Sequence, residues 1–203
     1  TVPAELPADQ SKVSIDQQTY EARVAKMVQQ DPLFALLTAE IASQRGDIYS
    51  ATLAYTEAAK QQRNPELAKR AVEISLAEGQ LELALTAAKV WAELSPQDKQ
   101  ATQSLLLLQL GTNQIDEALP ALKAYLDEVK KAQESNPGLA GTSVEKVALD
   151  LLMRIPDKPK AYRTALELFG NDPANVEAQT LLAQIAHASE LQAQAVGHME
   201  NVV

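Results

Sequence analysis

The sequence predicts an all-α fold, a solenoid of helix-turn-helix repeats, and three observations carry that prediction. The first is composition: Ala, Leu and Gln dominate, hydrophobic residues make up 46% of the chain and aromatic residues only 4%. Strong helix formers with small contact residues suit stacked helices. The second is that no β-branched run bounded by turn residues appears, so nothing reads as a strand. The third is punctuation at a fixed period. In "AEGQLELALTAAKVWAELSP", Gly79 suits a positive φ and ends one helix, Ala84 lets a neighbouring helix approach, and Pro96 stops the second helix. The order returns along the chain: Ala51, Ala84, Ala118, Ala161 and Ala195 are separated by 33, 34, 43 and 34 residues.

Taken in order, residues 1–14, "TVPAELPADQSKVS", have two Pro and no helical period, and read as a flexible leader. Residues 15–31 form an N-terminal helix, amphipathic through Ile15, Tyr20, Val24, Met27 and Val28, and stopped at "QQDP". Residues 32–131 hold three repeats. The first carries Gly46, Ala51, Tyr55, Ala58 and Pro65, and the second Gly79, Ala84 and Pro96. In the third, Asn113 replaces the Gly, being the next best residue at positive φ. Residues 132–142, with Pro137, Gly138 and Gly141, read as an inserted loop, which accounts for the long 43-residue step. Residues 143–203 hold two further repeats. Pro156 and Pro159 bracket the turn between the helices of the fourth, so neither interrupts a helix.

Composition also bounds function. A net charge of −9 and a pI of about 4.8 argue against a nucleic-acid backbone as partner. The chain has no Cys, which excludes a disulfide framework or thiolate site within these residues. It has no apolar stretch long enough to span a bilayer. It begins at Thr1 and ends on "MENVV" without a polar cap, so a fragment of a longer repeat protein is expected.

The spacing of Ala39, Gly46, Ala51, Tyr55 and Ala58, repeated with Gly79, Ala84 and Pro96, resembles the tetratricopeptide repeat over about residues 32–203. Val72 and Leu149 at the small position, Trp91 in place of bulk at residue 88, and Pro156 where Gly is usual depart from that pattern. The resemblance implies a right-handed superhelical solenoid, here of about eleven helices, with Gly46 and Gly79 at the turns. More narrowly, "AEIASQRGDIYSATLAYTEAAKQQRNPELAKRAVEIS" resembles tetratricopeptide lipoproteins of the Gram-negative outer membrane. Some members of that group are adaptors for a periplasmic carboxyl-terminal processing protease. The resemblance thus implies a non-catalytic protein-interaction scaffold, periplasmic and anchored to the outer membrane by lipid outside this chain. Its partner would be a protein or peptide, that protease or its substrates among them. A pilotin or outer-membrane assembly accessory, and a regulatory repeat domain of a larger enzyme, are the alternatives.

Catalysis finds no support. His187 and His198, the only His residues, lie eleven apart and match no metal-ligand spacing, so no catalytic, cofactor or metal residue is assigned. The plain expectation is one His packed against the superhelix and the other solvated. For binding, the family's groove positions fall on Leu36, Glu40 and Gln44 in the first repeat and on Lys69, Glu73 and Leu76 in the second. They fall on Gln103, Leu107 and Leu110 in the third and on Lys146, Asp150, Met153 and Arg154 in the fourth. The carboxylate clamp of the chaperone-binding members is not expected: Lys69 is followed by Glu73 and Lys146 by Asp150, an acid four residues on that would neutralise each Lys. In "SLLLLQL" four consecutive Leu cover every side of a helix, so one must leave the ordinary core. Leu107 is placed in the groove, against a partner or under the inserted loop.

Overall fold

The computed structural model describes residues 32–135 and 143–202, together with Lys26, which is helical. The expected leader, the rest of the N-terminal helix and residues 136–142 lie outside the described residues. The described residues form ten α-helices and no strand. They make five antiparallel pairs: α1 (Pro32–Gln44) with α2 (Ile48–Gln62), α3 (Pro65–Ala77) with α4 (Leu81–Leu94), and α5 (Lys99–Gly111) with α6 (Ile115–Ser135). The last two pairs are α7 (Val144–Leu152) with α8 (Lys158–Phe169), and α9 (Val176–Ala188) with α10 (Gln192–Glu200). Each second helix packs on its own first helix and on the first helix of the next pair, which makes the stack a helical solenoid.

The turns show why the period holds. Gly46 (φ 74°), Gly79 (φ 68°), Asn113 (φ 64°) and Glu190 (φ 61°) occupy one repeat position in the left-handed region. At each, the next amide reaches back five residues to the ending helix: Asp47 to Ala42 (2.9 Å), Gln80 to Ser75 (2.8 Å), Gln114 to Gln109 (2.8 Å) and Leu191 to Ala186 (2.9 Å). This is the Schellman closure, which satisfies helix-end carbonyls while reversing the chain. Pro156 stands at the equivalent position of the fourth pair, where its ring forbids positive φ. There Lys158 Nζ donates to the carbonyls of Met153 (2.5 Å) and Ile155 (2.9 Å) instead.

Side-chain caps start the helices. The amides of Glu66, Gln100 and Ala178 donate to Asn64 (3.0 Å), Asp98 (2.9 Å) and Asn175 (3.0 Å), opening α3, α5 and α9. Pro65 follows its cap at the first helical position, where a missing N–H costs nothing. The sequence assigned Pro65 the role of ending a repeat; it also begins the next.

The register alanines Ala51, Ala84, Ala118 and Ala161 are fully buried and Ala195 nearly so. Tyr55, Val72, Ala88 and Trp91 are buried as well, so the departures from the repeat pattern are absorbed by exchanging bulk between facing positions. The core divides into two clusters that meet at α5. Ala101, Leu105 and Leu108 pack into the first, while Leu106 and Leu110 pack into the second. Helix α6 continues to Ser135, so residues 132–135, expected in the loop, are helical. "KKAQES" is composed mostly of helix formers, and propensity extends the helix to the residues before Asn136.

Candidate interaction face on the first helices

The expected groove residues sit on the first helices of the pairs, and the structure treats them unequally. On α1, Leu36 is half-buried against the core, while Glu40 and Gln44 are exposed. Glu40 accepts a hydrogen bond from the Tyr55 hydroxyl. Burial first, and that carboxylate second, push the Tyr55 phenol up to about 12, with Arg70 acting in the opposite direction. On α3, Leu76 is 43% exposed. Gln103 is exposed on α5 beside Lys99, Tyr125 and Glu128, in a separate cleft of about 180 Å³ between α5 and α6.

Leu110 requires a correction. It is fully buried in the second core cluster and cannot meet a partner. The reason is α5's position between two clusters, which consumes the leucines on both of its flanks. Of the run Leu105 to Leu108, only Leu107 is left outward, 37% exposed.

The expected Lys–acid neutralisation is also corrected. Neither Lys69–Glu73 nor Lys146–Asp150 is among the ion pairs of the described residues. Glu73 pairs instead with Arg70 at 3.7 Å, and Lys69 places its ammonium 5.7 Å from the Trp91 ring centroid, a cation–π distance. Lys146 and Asp150 are both exposed on α7. Sequence spacing of four allows a pair without forming one, because an exposed pair gains little over hydrating both charges.

What the structure does bring together is α7 and α9. Between them lies a cleft of about 290 Å³, floored by Leu149, Val176 and Leu181 and edged by Lys146, Thr180 and Gln184. Glu145 and Glu177 also reach it, and Glu145 accepts a hydrogen bond from Asn175 Nδ2 (3.2 Å). Met153, 38% exposed, and Arg154, exposed, stand at the far end of α7. Sequence reasoning named no residue of α9. The signal was available, since carrying the same repeat positions into the fifth unit lands on Thr180 and Gln184.

The two histidines take the plain roles expected of them. His187 is exposed, 3.4 Å from Gln192 Oε1. His198 is half-buried, with Nδ1 2.8 Å from Gln179 Oε1 and Nε2 2.8 Å from the Tyr162 hydroxyl. An amide oxygen only accepts, so Nδ1 carries the proton and Nε2 accepts from Tyr162. Burial holds His198 below its ordinary value and raises Tyr162 above its own. Among the described residues no group of three or more His, Cys, Asp or Glu side chains could hold a metal ion, and no helix is long and apolar enough to cross a membrane.

No protein-family model matches the chain, and no curated protein does. Among solved structures it is similar to two crystal structures of MamA. One shares 16% identity over 84% of this chain and 89% of MamA, with a TM-score of 0.38. The other shares 17% identity over 81% of this chain and 91% of MamA, with a TM-score of 0.36. At that distance the fold rests on the chain's own turns and packing: an all-helical, tetratricopeptide-like solenoid.

Proposed function

We propose that this chain is a non-catalytic protein-interaction scaffold, which takes a segment of a partner protein along the face formed by its first helices. The observation that carries the reading is the cleft between α7 and α9, where an apolar floor meets the ammonium of Lys146, a cation without an ion pair among the described residues. Leu76 and Leu107, exposed on α3 and α5, and Met153, exposed at the C-terminal cap of α7, extend apolar contact along the same set of helices. Apolar anchors beside a few polar groups are what a recognition groove needs. The finer proposal follows from sequence resemblance: a periplasmic, outer-membrane-anchored adaptor that presents a carboxyl-terminal processing protease or its substrates. The acidic, Cys-free composition is compatible with that compartment.

The test is affinity capture from a native envelope extract, comparing the wild type with Leu107→Asp and Lys146→Glu once circular dichroism shows all three folded. The scaffold reading expects a defined partner whose recovery falls in both variants. Equal recovery from all three removes the first-helix face from the proposal. Fractionation of the protein into the cytoplasm removes the adaptor.

A further inference from the structure

Away from the first-helix face, the α5–α6 turn and α8 bound a polar cleft of about 310 Å³ that the scaffold reading leaves unused. Lys160, Arg163, Thr164 and Glu167 line it from α8. Spaced i, i+3, i+4 and i+7, they form one stripe of that helix. Asn113 and Asp116 line it from the turn. Thr164 is only 8% exposed, and its hydroxyl donates within α8, to the Lys160 carbonyl at 3.0 Å.

The polar groups of the cleft are not satisfied by one another. Glu167 is held by Lys123 at 2.7 Å, and Lys160 reaches only Asp157, at 3.7 Å. Asp116 and Arg163 are exposed, and neither belongs to an ion pair among the described residues. Asn113 Oδ1 is buried and accepts no hydrogen bond among the described residues, and the neighbouring Gln114 Oε1 is in the same state. Buried acceptors in native proteins are paired, because burial takes away the water they would otherwise bind.

The lining therefore offers two cations on the α8 side. On the turn side it offers a carboxylate and an amide oxygen in need of a donor. A simple anion would meet Arg163 and Lys160 but lie against Asp116. A simple cation would meet Asp116 and Asn113 but lie against Arg163 and Lys160. A molecule that carries both charges a single carbon apart satisfies both walls with charge-assisted hydrogen bonds.

We propose that this cleft binds a small zwitterion, a free α-amino acid, with its carboxylate on Arg163 and Lys160 and its ammonium on Asp116 and Asn113 Oδ1. An ammonium has three donors, so it serves the Asp116 carboxylate and the orphan amide oxygen together. The volume lies at the lower end of small-molecule sites and leaves room for a side chain beyond the charged groups. An interior polypeptide segment has neither terminal charge and does not meet these requirements. The site uses α8 and a turn, so a partner segment on the first helices occupies a different surface.

The experiment is titration of the whole isotope-labelled chain with free glycine, L-serine, L-glutamine and L-leucine, read by amide chemical shifts. At least one of them should give saturable shifts at Asn113 to Asp116 and at Lys160 to Glu167. The N-acetyl form of that amino acid lacks the ammonium and its amide form lacks the carboxylate, so each should bind at least about tenfold more weakly. Asp116→Asn and Arg163→Gln each remove one charge from an exposed position. Both should keep the wild-type spectrum elsewhere and weaken the free amino acid by a similar factor. The proposal is overturned if none of the free amino acids saturates, or if the blocked forms bind as well as the free one. It is overturned equally if either variant binds as the wild type does, or if the shifts fall on other residues.

Discussion

Ala84→Leu puts the stacking geometry to its sharpest test. Ala84 is fully buried in α4, among Ala87, Ala88 and Trp91 of its own helix and the alanines of α2 and α3 in the first core cluster. Three added carbons must go where a neighbouring helix already lies, since packed interiors leave few voids larger than a water molecule. Overpacking of this kind costs about 1–3 kcal/mol. In a chain of this length each kcal/mol lowers Tm by about 2–4 °C, so a fall of about 2–12 °C is expected. The control is Thr86→Leu, two residues on and exposed, which adds bulk to solvent and loses only a hydrogen bond to the Glu82 carbonyl at 3.0 Å. Thermal melts by circular dichroism read both variants. Equal melting of Ala84→Leu and wild type would show that Ala84 does not mark a close helix contact, and the repeat register would lose its physical basis.

Other substitutions separate the causes further. Gly79 has φ 68° and a Cβ there would meet nothing within 4 Å, so Gly79→Ala should cost about 1–2 kcal/mol from backbone strain alone. Gly111, without positive φ and with equally open surroundings, should gain up to about 1 kcal/mol on Gly111→Ala, both read by denaturant melts. Leu110→Asp should abolish cooperative melting, whereas Leu107→Asp should stay within about 0.5 kcal/mol of wild type. Because burial depresses His198, its contribution is present above about pH 6.5 and is lost as pH falls through the lower native value. Protection of the α10 amides, taken relative to the intrinsic exchange rate at each pH, should accordingly fall on acidification, and His198→Gln should flatten that response. An unchanged pH response in the variant would assign it to another group.

The fold was legible because the turn position is decided locally. Gly46, Gly79 and Asn113 announce positive φ by residue type, and small residues five positions later announce a close contact. Glu190 was not legible, because nothing in its side chain favours the left-handed region. It adopts that region because the α9–α10 closure, from the Leu191 amide to the Ala186 carbonyl, supplies what the residue lacks. The fourth turn was hidden for the opposite reason. Pro156 signals a break but not how the helix end is satisfied, and Lys158 does that from two residues beyond.

The interaction face was legible only in part, and α5 shows where the limit lies. Repeat position alone places Leu107 and Leu110 on one side of the helix, and nothing in the sequence distinguishes them. What distinguishes them is that α5 borders two core clusters at once, with Leu110 packed into the second and Leu107 into neither. That placement follows from long-range packing, which no local pattern encodes. Charge partners fail in the same way. Glu73 chooses Arg70 over Lys69 because the Trp91 ring, brought up by the neighbouring helix, gives Lys69 a different place to rest. A residue's repeat position therefore predicts which face of a helix it occupies, and the neighbours that the stack supplies decide whether it remains available there.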